Sequence, residues 1–364
     1  MKDKSSYKIY STSKEAWNSM QEAISNAQKS IYWELYIFID DEVGKPFFDI
    51  LETKAKAGVD IKIIVDSFGS FWLSNSRVKQ LKTAGVDIRF FHERKKFYRG
   101  WWKRLISRTH RKILIVDEKI GFIGGVNVQK HMAEWLDIQV RVEGGVVYSL
   151  LRAFAKMYII CGGDKKEVRH LLKYKFRVKE DNTNFVYDDP SGRRSNIRKK
   201  YTEAISKARE RVILFSPYYN PDKKFLHALW KARKRGVKID ILIPFRSDVR
   251  IANYVSYGFF SFLEKIGVNV HLTEKMMHGK GVIVDDDWAM VGSSNIDKIC
   301  FYDNYEANIH TRNKKTVKNI KNILVGWIKL SKNLKDTGWA KRGRLTKFKE
   351  KTALRLYKLW NGDK

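Results

Sequence analysis

The feature that most restricts the fold of this chain is that it repeats itself. Glu22-Ala-Ile-Ser-Asn-Ala-Gln-Lys-Ser-Ile31 returns as Glu203-Ala-Ile-Ser-Lys-Ala-Arg-Glu-Arg-Val212. Ala57-Gly-Val-Asp-Ile-Lys-Ile-Ile-Val65 returns as Arg235-Gly-Val-Lys-Ile-Asp-Ile-Leu-Ile243, and Ala84-Gly-Val-Asp-Ile88 as Ile266-Gly-Val-Asn-Val270, in the same order. Self-similarity on this scale marks a duplicated supersecondary unit. In each copy a segment of helical period leads into a short β-rich run, then a second helix ending near a glycine, then another strand. The alternation predicts an α/β fold built from two pseudo-symmetric αβα-layered halves. The expected divisions are a first domain over 1–165, a polar and basic linker over 166–200 containing Pro190, Gly192 and Arg193-Arg194, a second domain over 201–331, and a basic C-terminal segment over 332–364.

The repeat carries chemistry with it. The first half holds His110-Arg-Lys112-Ile-Leu-Ile-Val-Asp117 and then Gly124-Gly125-Val-Asn127; the second holds His278-Gly-Lys280-Gly-Val-Ile-Val-Asp285 and then Gly292-Ser293-Ser-Asn295. The step from His to Asp and the step from Asp to Gly are identical in the two copies. His and Lys two residues apart on an extended chain point to the same face, so each copy offers an imidazole beside an ammonium. The glycine-rich turns admit close backbone approach, and Asn127, Asn295 and Ser293 are candidate hydrogen-bond donors to phosphate oxygens. If a pseudo-two-fold axis joins the motifs, two imidazoles flank one phosphorus. Phosphodiester exchange needs a nucleophile, an acid for the leaving alkoxide, and positive charge on the equatorial oxygens. This set supplies all three with no metal or other cofactor called for. One His attacks to form a phosphohistidine, the other moves the proton, and Lys112 and Lys280 neutralise the transferring group.

Lys and Arg number 72 against 40 Asp and Glu, a formal charge of +32, which calls for a polyanionic partner. Composition alone leaves nucleic acid and anionic membrane both open. An aromatic content of 13%, with 11 Trp, leans toward the lipid headgroup boundary, although a Trp-rich core accounts for part of it. Cys161 and Cys300 lie in unlike contexts and point to neither a zinc site nor a disulfide framework. Met1–Tyr10 lacks the apolar core of a signal peptide. The most apolar stretches are too short to span a bilayer or are interrupted, as 145–160 is by Arg152 and Lys156. A protein of this kind that meets a membrane lies on it.

The paired motifs with trailing Asn resemble the HKD motifs of the phospholipase D superfamily, and the resemblance covers nearly the whole chain. Gly121-Phe-Ile-Gly-Gly-Val-Asn127, Glu134-Trp-Leu-Asp137, Tyr218-Tyr-Asn-Pro-Asp222, Ser247-Asp-Val249 and Asn304-Tyr-Glu306 are similar to bacterial cardiolipin synthases, in particular a short branch without transmembrane helices. The resemblance implies one active site at the junction of two halves and ping-pong transfer of a phosphatidyl group between phospholipids through phosphohistidine. It makes His110 the nucleophile and His278 the general acid and base. It makes His110, Lys112, Asp117, His278, Lys280 and Asp285 the catalytic set, with Asp117 and Asp285 supporting rather than carrying protons, and sets Asp137 and Glu306 as orienting carboxylates against the opposite imidazoles. The implied substrate is an anionic phospholipid such as phosphatidylglycerol, met at the cytoplasmic face of the cell membrane by peripheral association. Two departures stand out: Gly125 replaces a common Ser, and Trp135-Leu-Asp137 replaces Trp-Arg-Asp. The alternative within the same fold is a hydrolase or a nuclease whose basic surface tracks nucleic acid.

Two segments are candidates for membrane contact. Gly85 and His110 are 25 positions apart where Gly267 and His278 are 11 apart, so the first half carries an insertion, reading Arg94-Lys-Lys-Phe-Tyr-Arg-Gly-Trp-Trp-Lys-Arg104. Basic residues interleaved with aromatics suit an anionic lipid boundary and suit single-stranded nucleic acid nearly as well. The C-terminal stretch sets Leu345, Phe348, Leu356, Leu359 and Trp360 on one helical stripe with Lys347, Lys349, Lys351, Arg355 and Lys358 largely off it. A helix lying on the membrane and a helix packed on the domain both fit that pattern, and Gly338 and Gly343 allow it to hinge.

Overall fold

The computed structural model describes residues 5–92, 107–174, 182–190 and 194–360, so the Arg94–Arg104 insertion lies outside the described residues, as do the side chains of Lys358, Leu359 and Trp360. The first lobe runs β1 (Ser6–Thr12), α1 (Ser13–Ser25), β2 (Ser30–Leu35), α2 (Gly44–Lys56), β3 (Asp60–Asp66), α3 (Asn75–Thr83), β4 (Asp87–Phe91), β5 (Ile113–Val116), β6 (Ile120–Gly124), β7 (Leu136–Glu143), α4 (Val146–Ile160) and a short α5 (Arg169–Leu172). The second runs β8 (Thr183–Asp188), α6 (Asn196–Lys207), β9 (Arg211–Phe215), β10 (Tyr219–Asn220), α7 (Lys223–Lys234), β11 (Lys238–Pro244), α8 (Arg250–Lys265), β12 (Asn269–Thr273), β13 (Gly281–Val284), β14 (Trp288–Gly292), β15 (Ile296–Asp297), α9 (Lys298–Tyr302), β16 (Glu306–Thr311), α10 (Lys314–Lys329), β17 (Ser331–Asn333) and α11 (Arg344–Trp360).

The two large sheets have one topology. The first is ordered β1-β7-β6-β5-β2-β3-β4; the second, read from its far edge, is β8-β16-β14-β13-β9-β11-β12-β17. In each, three neighbouring strands are parallel (β2, β3, β4 and β9, β11, β12) and the motif strand runs antiparallel to the first of them. The parallel strands are covered on both faces: Ile61–Val65 and Ile239–Ile243 are buried throughout, apolar but for Lys62 and Asp240. The match corrects the expected linker. Thr183–Asp188 is the edge strand β8, the counterpart of β1, and α6 starts at Asn196, so the second unit begins inside the segment read as a connector. Strand β8 carries only the short run Phe185-Val186-Tyr187 between polar and charged flanks, too brief to stand out as a hydrophobic period although Phe185 and Val186 are buried. The starts of α1 and α6 are capped alike, by Thr12 accepting from Glu15 N and Ser195 accepting from Arg198 N.

The lobes are joined through a shared apolar layer. Helices α4 and α10 lie between the sheets, and Ile113, Val140, Phe154, Ile283, Ile309 and Trp327 belong to one cluster crossing the junction. Separate outer cores sit under α1 and α2 in the first lobe and under α6, α7 and α8 in the second. The layering is α-β-α-β-α, and burying the joint core makes the junction rigid enough to hold a divided site. Helix α11 packs on α8 through Ala353 and Leu354, while Leu345, Phe348 and Leu356 of the expected stripe face outward. No helix among the described residues is long and apolar enough to cross a membrane.

Candidate active site

Each motif enters its strand at the seam between lobes and is held there by the other lobe's backbone. His110 N donates to Tyr305 O at 3.0 Å, and His278 N donates to Leu136 O at 2.6 Å. Tyr305 and Leu136 immediately precede Glu306 and Asp137, so each clasp delivers a carboxylate to the opposite imidazole. Glu306 Oε1 and Oε2 lie 2.9 and 3.2 Å from His110 Nδ1; Asp137 Oδ2 lies 2.7 Å from His278 Nδ1. All four groups are buried. A carboxylate at Nδ1 fixes the tautomer with its proton on that nitrogen and leaves the Nε2 lone pair free.

Lys112 Nζ donates to His110 O at 2.6 Å and stands 5.1 Å over the Tyr36 ring; Lys280 Nζ donates to His278 O. The two-residue spacing turns each ammonium back onto the main-chain carbonyl of its own histidine. Burial and the neighbouring Lys280 push Lys112 down to about 7, and burial, opposed by Asp137, pushes Lys280 to about 8. Burial drives His110 down to about 4 against the pull of Glu306, with Lys112 and Lys280 adding to the fall. His278 is lowered by burial and by Lys280, opposed by Asp137. Burial works to raise Glu306 and Asp137, but the facing imidazoles and lysines outweigh it and hold both carboxyls below their ordinary range. The product is a dry cluster of two neutral imidazoles, two ammoniums and two carboxylates, arranged to receive an anion. His110, Cys300 and Glu306 offer ligand atoms within 4.8 Å of one another, yet Glu306 is engaged with the His110 ring and the two ammoniums oppose a metal cation.

Several motif residues lie elsewhere than expected. Asp117 and Asp285 occupy turns at the far ends of the motif strands, with φ of 52° and 50°, and seven residues of extended chain put them about 20 Å from their histidines. They take no part in the site: Asp117 accepts from the backbone N–H of Gln28, Lys29 and Ser30, and Asp285 from Arg209, Glu210 and Arg211, tying each turn to the loop before β2 or β9. Ser293 donates to the Glu306 carboxylate and accepts from Ala307 N at 3.0 Å, so its hydroxyl serves the carboxylate. Asn127 Oδ1 accepts from Ile37 N at 3.2 Å and its carbonyl accepts from the Trp17 indole at 2.7 Å; Asn295 Nδ2 faces Cys300 Sγ at 3.4 Å. These amides brace the turns around the site. Gly125 is required where it stands, because a Cβ there would meet Asp137 Oδ1 at 2.2 Å.

The sequence reading missed Tyr36, whose ring is 5.0 Å from His110, and the Cys300 thiol and Asn304 amide beside Glu306, the latter 3.5 Å from Oε1. Tyr36 follows a strand with no motif around it, and only the fold brings it to the histidine. A cavity of about 630 Å³ in the second lobe is lined by Asp285, Trp288 and His310, at the end of β13 remote from the imidazoles, and does not touch the cluster.

The family described as "Cardiolipin synthase, PLD-like domain" matches residues 20–158 and 201–326, one match for each lobe. The chain belongs to this phospholipase D-like family. Cardiolipin synthase B of Salmonella typhimurium is 33% identical over 321 residues, covering 84% of this chain and 76% of that protein. A probable cardiolipin synthase of Bacillus subtilis is 28% identical over 358 residues, 96% of this chain and 71% of that one. Among solved structures, a phosphatidylserine synthase of Haemophilus influenzae superposes with a TM-score of 0.73 at 14% identity, covering 98% of this chain and 92% of that one, which shows the shared fold. The phospholipase D-like identity accounts for the duplicated sheets and the seam between them. The chain is thus a cardiolipin synthase-like phosphatidyltransferase by family, and the part each residue plays follows from the geometry.

Proposed function

We propose that the protein joins two phosphatidylglycerol molecules into cardiolipin and glycerol, with His110 as nucleophile and His278 as proton carrier. The observation that supports a two-imidazole transfer is the reciprocal pairing of Glu306 with His110 and Asp137 with His278, and the choice of His110 as the attacking group follows the family resemblance of the first motif. His110 Nε2 attacks the phosphorus of the donor lipid, the bond from phosphorus to the headgroup glycerol oxygen breaks, and His278 Nε2–H protonates that oxygen. The hydroxyl of a second lipid then gives its proton to His278 and attacks the phosphohistidine, and the bond from phosphorus to His110 breaks. Lys112 and Lys280 hold the non-bridging oxygens throughout.

Protonation of His278 in the complex has an electrostatic source. With both lysines charged and both imidazoles neutral, Glu306 and Asp137 bring the cluster to zero. A phosphodiester monoanion entering it favours uptake of one proton, and His278, held by Asp137, is the group that takes it. The substrate's location makes the protein a peripheral visitor to the cytoplasmic face of an anionic membrane. The +32 charge and the outward stripe of Leu345, Phe348 and Leu356 on α11 support that association.

The test is to supply vesicles of labelled phosphatidylglycerol and identify products by mass spectrometry, with His110→Ala as control. The expected products are cardiolipin and glycerol, absent with the variant. Phosphatidic acid alone would make the protein a hydrolase, and inert lipid with cleaved single-stranded DNA or RNA would make it a nuclease.

A further inference from the structure

The two lobes expose apolar side chains at equivalent places. The loop leaving β3 presents Phe68, Phe71 and Trp72, exposed to 47%, 54% and 76%; the loop leaving β11 and entering α8 presents Phe245, Val249 and Ile251, exposed to 44%, 42% and 60%. Strands β3 and β11 are equivalent in the repeat, and loops at the carboxyl ends of parallel strands are where an α/β sheet meets its ligand. Residues 67–74 carry no charge at all, in a chain where 31% of residues are charged. Clustered exposed apolar surface of this kind marks an interaction site.

Both loops are fastened to the cluster. Asp66 accepts from Phe68 N and Gly69 N with one oxygen and from Thr109 N, next to His110, with the other. Phe68 lies under the Arg108 guanidinium at 4.2 Å, and Ser70 donates to Tyr36 O at 3.0 Å. Gly69 has no side chain because a Cβ would sit 2.8 Å from the Tyr36 ring. In the second lobe, Asp248 accepts from the Tyr218 hydroxyl at 2.7 Å, and its charge is felt at Lys280. The apolar tips therefore stand one on each lobe beside the cluster, the Asp248 charge of the second reaching Tyr36 of the first, with Arg246 and Arg250 exposed among them.

We infer that these two loops are the membrane-docking surface, which seats the entrance on an anionic bilayer with Trp72 and Ile251 below the headgroups. The inference rests on the reading of the substrate as a phospholipid. An apolar rim around an anion-binding cluster lets a lipid raise its phosphate into the site while its acyl chains stay in the bilayer, and the adjacent arginines meet anionic headgroups. A second copy of the chain seated on the same rim would stop the entrance.

The experiment uses the full chain, wild type and Trp72→Ser/Ile251→Ser, in two assays: co-sedimentation with phosphatidylglycerol vesicles, and turnover of monomeric short-chain phosphatidylglycerol below its micelle concentration. Loss of about tenfold or more in vesicle affinity and vesicle turnover, a much smaller change on the monomeric lipid, and recovery with Trp72→Phe/Ile251→Leu supports the assignment. Thermal unfolding of the serine variant at the wild-type temperature accompanies that result. Unaltered vesicle affinity overturns the docking surface whatever the enzyme's products. A variant that changes from dimer to monomer with vesicle affinity intact also overturns it, in favour of self-association. Vesicle binding that depends on both residues, in a protein that turns over neither lipid form, supports the docking surface while removing the proposed reaction.

Discussion

The two half-sites share a blueprint and differ in how each is braced. Behind His110 stands an ion pair: Arg111 Nη2 lies 2.9 Å from Glu34 Oε2, both buried, and Thr109 Oγ1 donates to the same carboxylate. Behind His278 the equivalent positions are Gly279 and Phe215, packed with Trp327, where a Cβ on Gly279 would meet the rings at 3.2–3.3 Å. In front, His110 receives a glutamate steadied by Ser293, with Asn304 and Cys300 beside it, and His278 receives a shorter aspartate for which Gly125 makes room. One imidazole is fixed by a polar network and the other by close packing. A covalent phosphohistidine demands that its nitrogen hold one position through two displacements, and a network gripping both oxygens of Glu306 meets that demand. A proton carrier needs only to reach two oxygens in turn.

The largest effect that would sharpen this contrast comes from the carboxylates. Glu306→Gln is expected to lower kcat about 10³-fold by losing the tautomer and the hold on the nucleophile, and Asp137→Asn about 10²-fold. Single-turnover kinetics separate the steps: the glutamine variant slows formation of the phosphoenzyme, and the asparagine variant slows proton transfer with a donor whose leaving group is a poor one but not with an activated aryl ester. Equal slowing of both donors by both variants would erase the distinction.

The braces behind the histidines come next. Glu34→Ala leaves Arg111 buried without its partner and is expected to cost about 3–5 kcal/mol in denaturant unfolding. Phe215→Leu keeps an apolar contact and is expected to cost about 1 kcal/mol. Similar costs would mean that the two lobes are braced alike.

Smaller again is the exchange at the turns. Gly125→Ser must displace Asp137, since a Cβ there comes within 2.2 Å of Oδ1, and a shift of that order is expected to lower kcat by about 10–100-fold. Ser293→Ala removes one hydrogen bond to Glu306 and is expected to lower kcat about tenfold with little change in KM. The smallest perturbation is pH. His110 must be neutral and the lysines charged, so kcat/KM should rise through about 4 and fall from about 7 to 8 as Lys112 and then Lys280 lose their protons. A basic limb above 9 would show that the substrate-free lysines are not held down as their burial implies.

The duplication and both motifs were readable because catalysis fixes residue types at a fixed spacing and a repeated sheet fixes its turn glycines. The pairing of Asp137 and Glu306 with the opposite histidines came through resemblance, since nothing local to either carboxylate says which lobe it faces. What stayed hidden depends on packing. Asp117 and Asp285 share the fixed spacing of the motif, yet the extended chain through β5 and β13 carries them to the far end of each motif strand. Ser293 and Asn295 look like phosphate donors by type, but the Ser293 hydroxyl is turned onto Glu306 and the Asn295 amide onto Cys300, while Asn127 is held through its two oxygens. Strand β8 is a short apolar run inside a polar, basic stretch that reads as linker, and nothing in the sequence around Trp72 and Ile251 says that they are exposed.

The central claim is that His110 carries the phosphatidyl group and His278 moves the proton. Incubating wild type, His110→Ala and His278→Ala with labelled phosphatidylglycerol, quenching in base and mapping the phosphorylated peptide tests it directly. The account predicts a phosphohistidine at His110 in wild type, its persistence in His278→Ala when the donor has a good leaving group, and its absence in His110→Ala. Label on His278, surviving in His110→Ala, would contradict it.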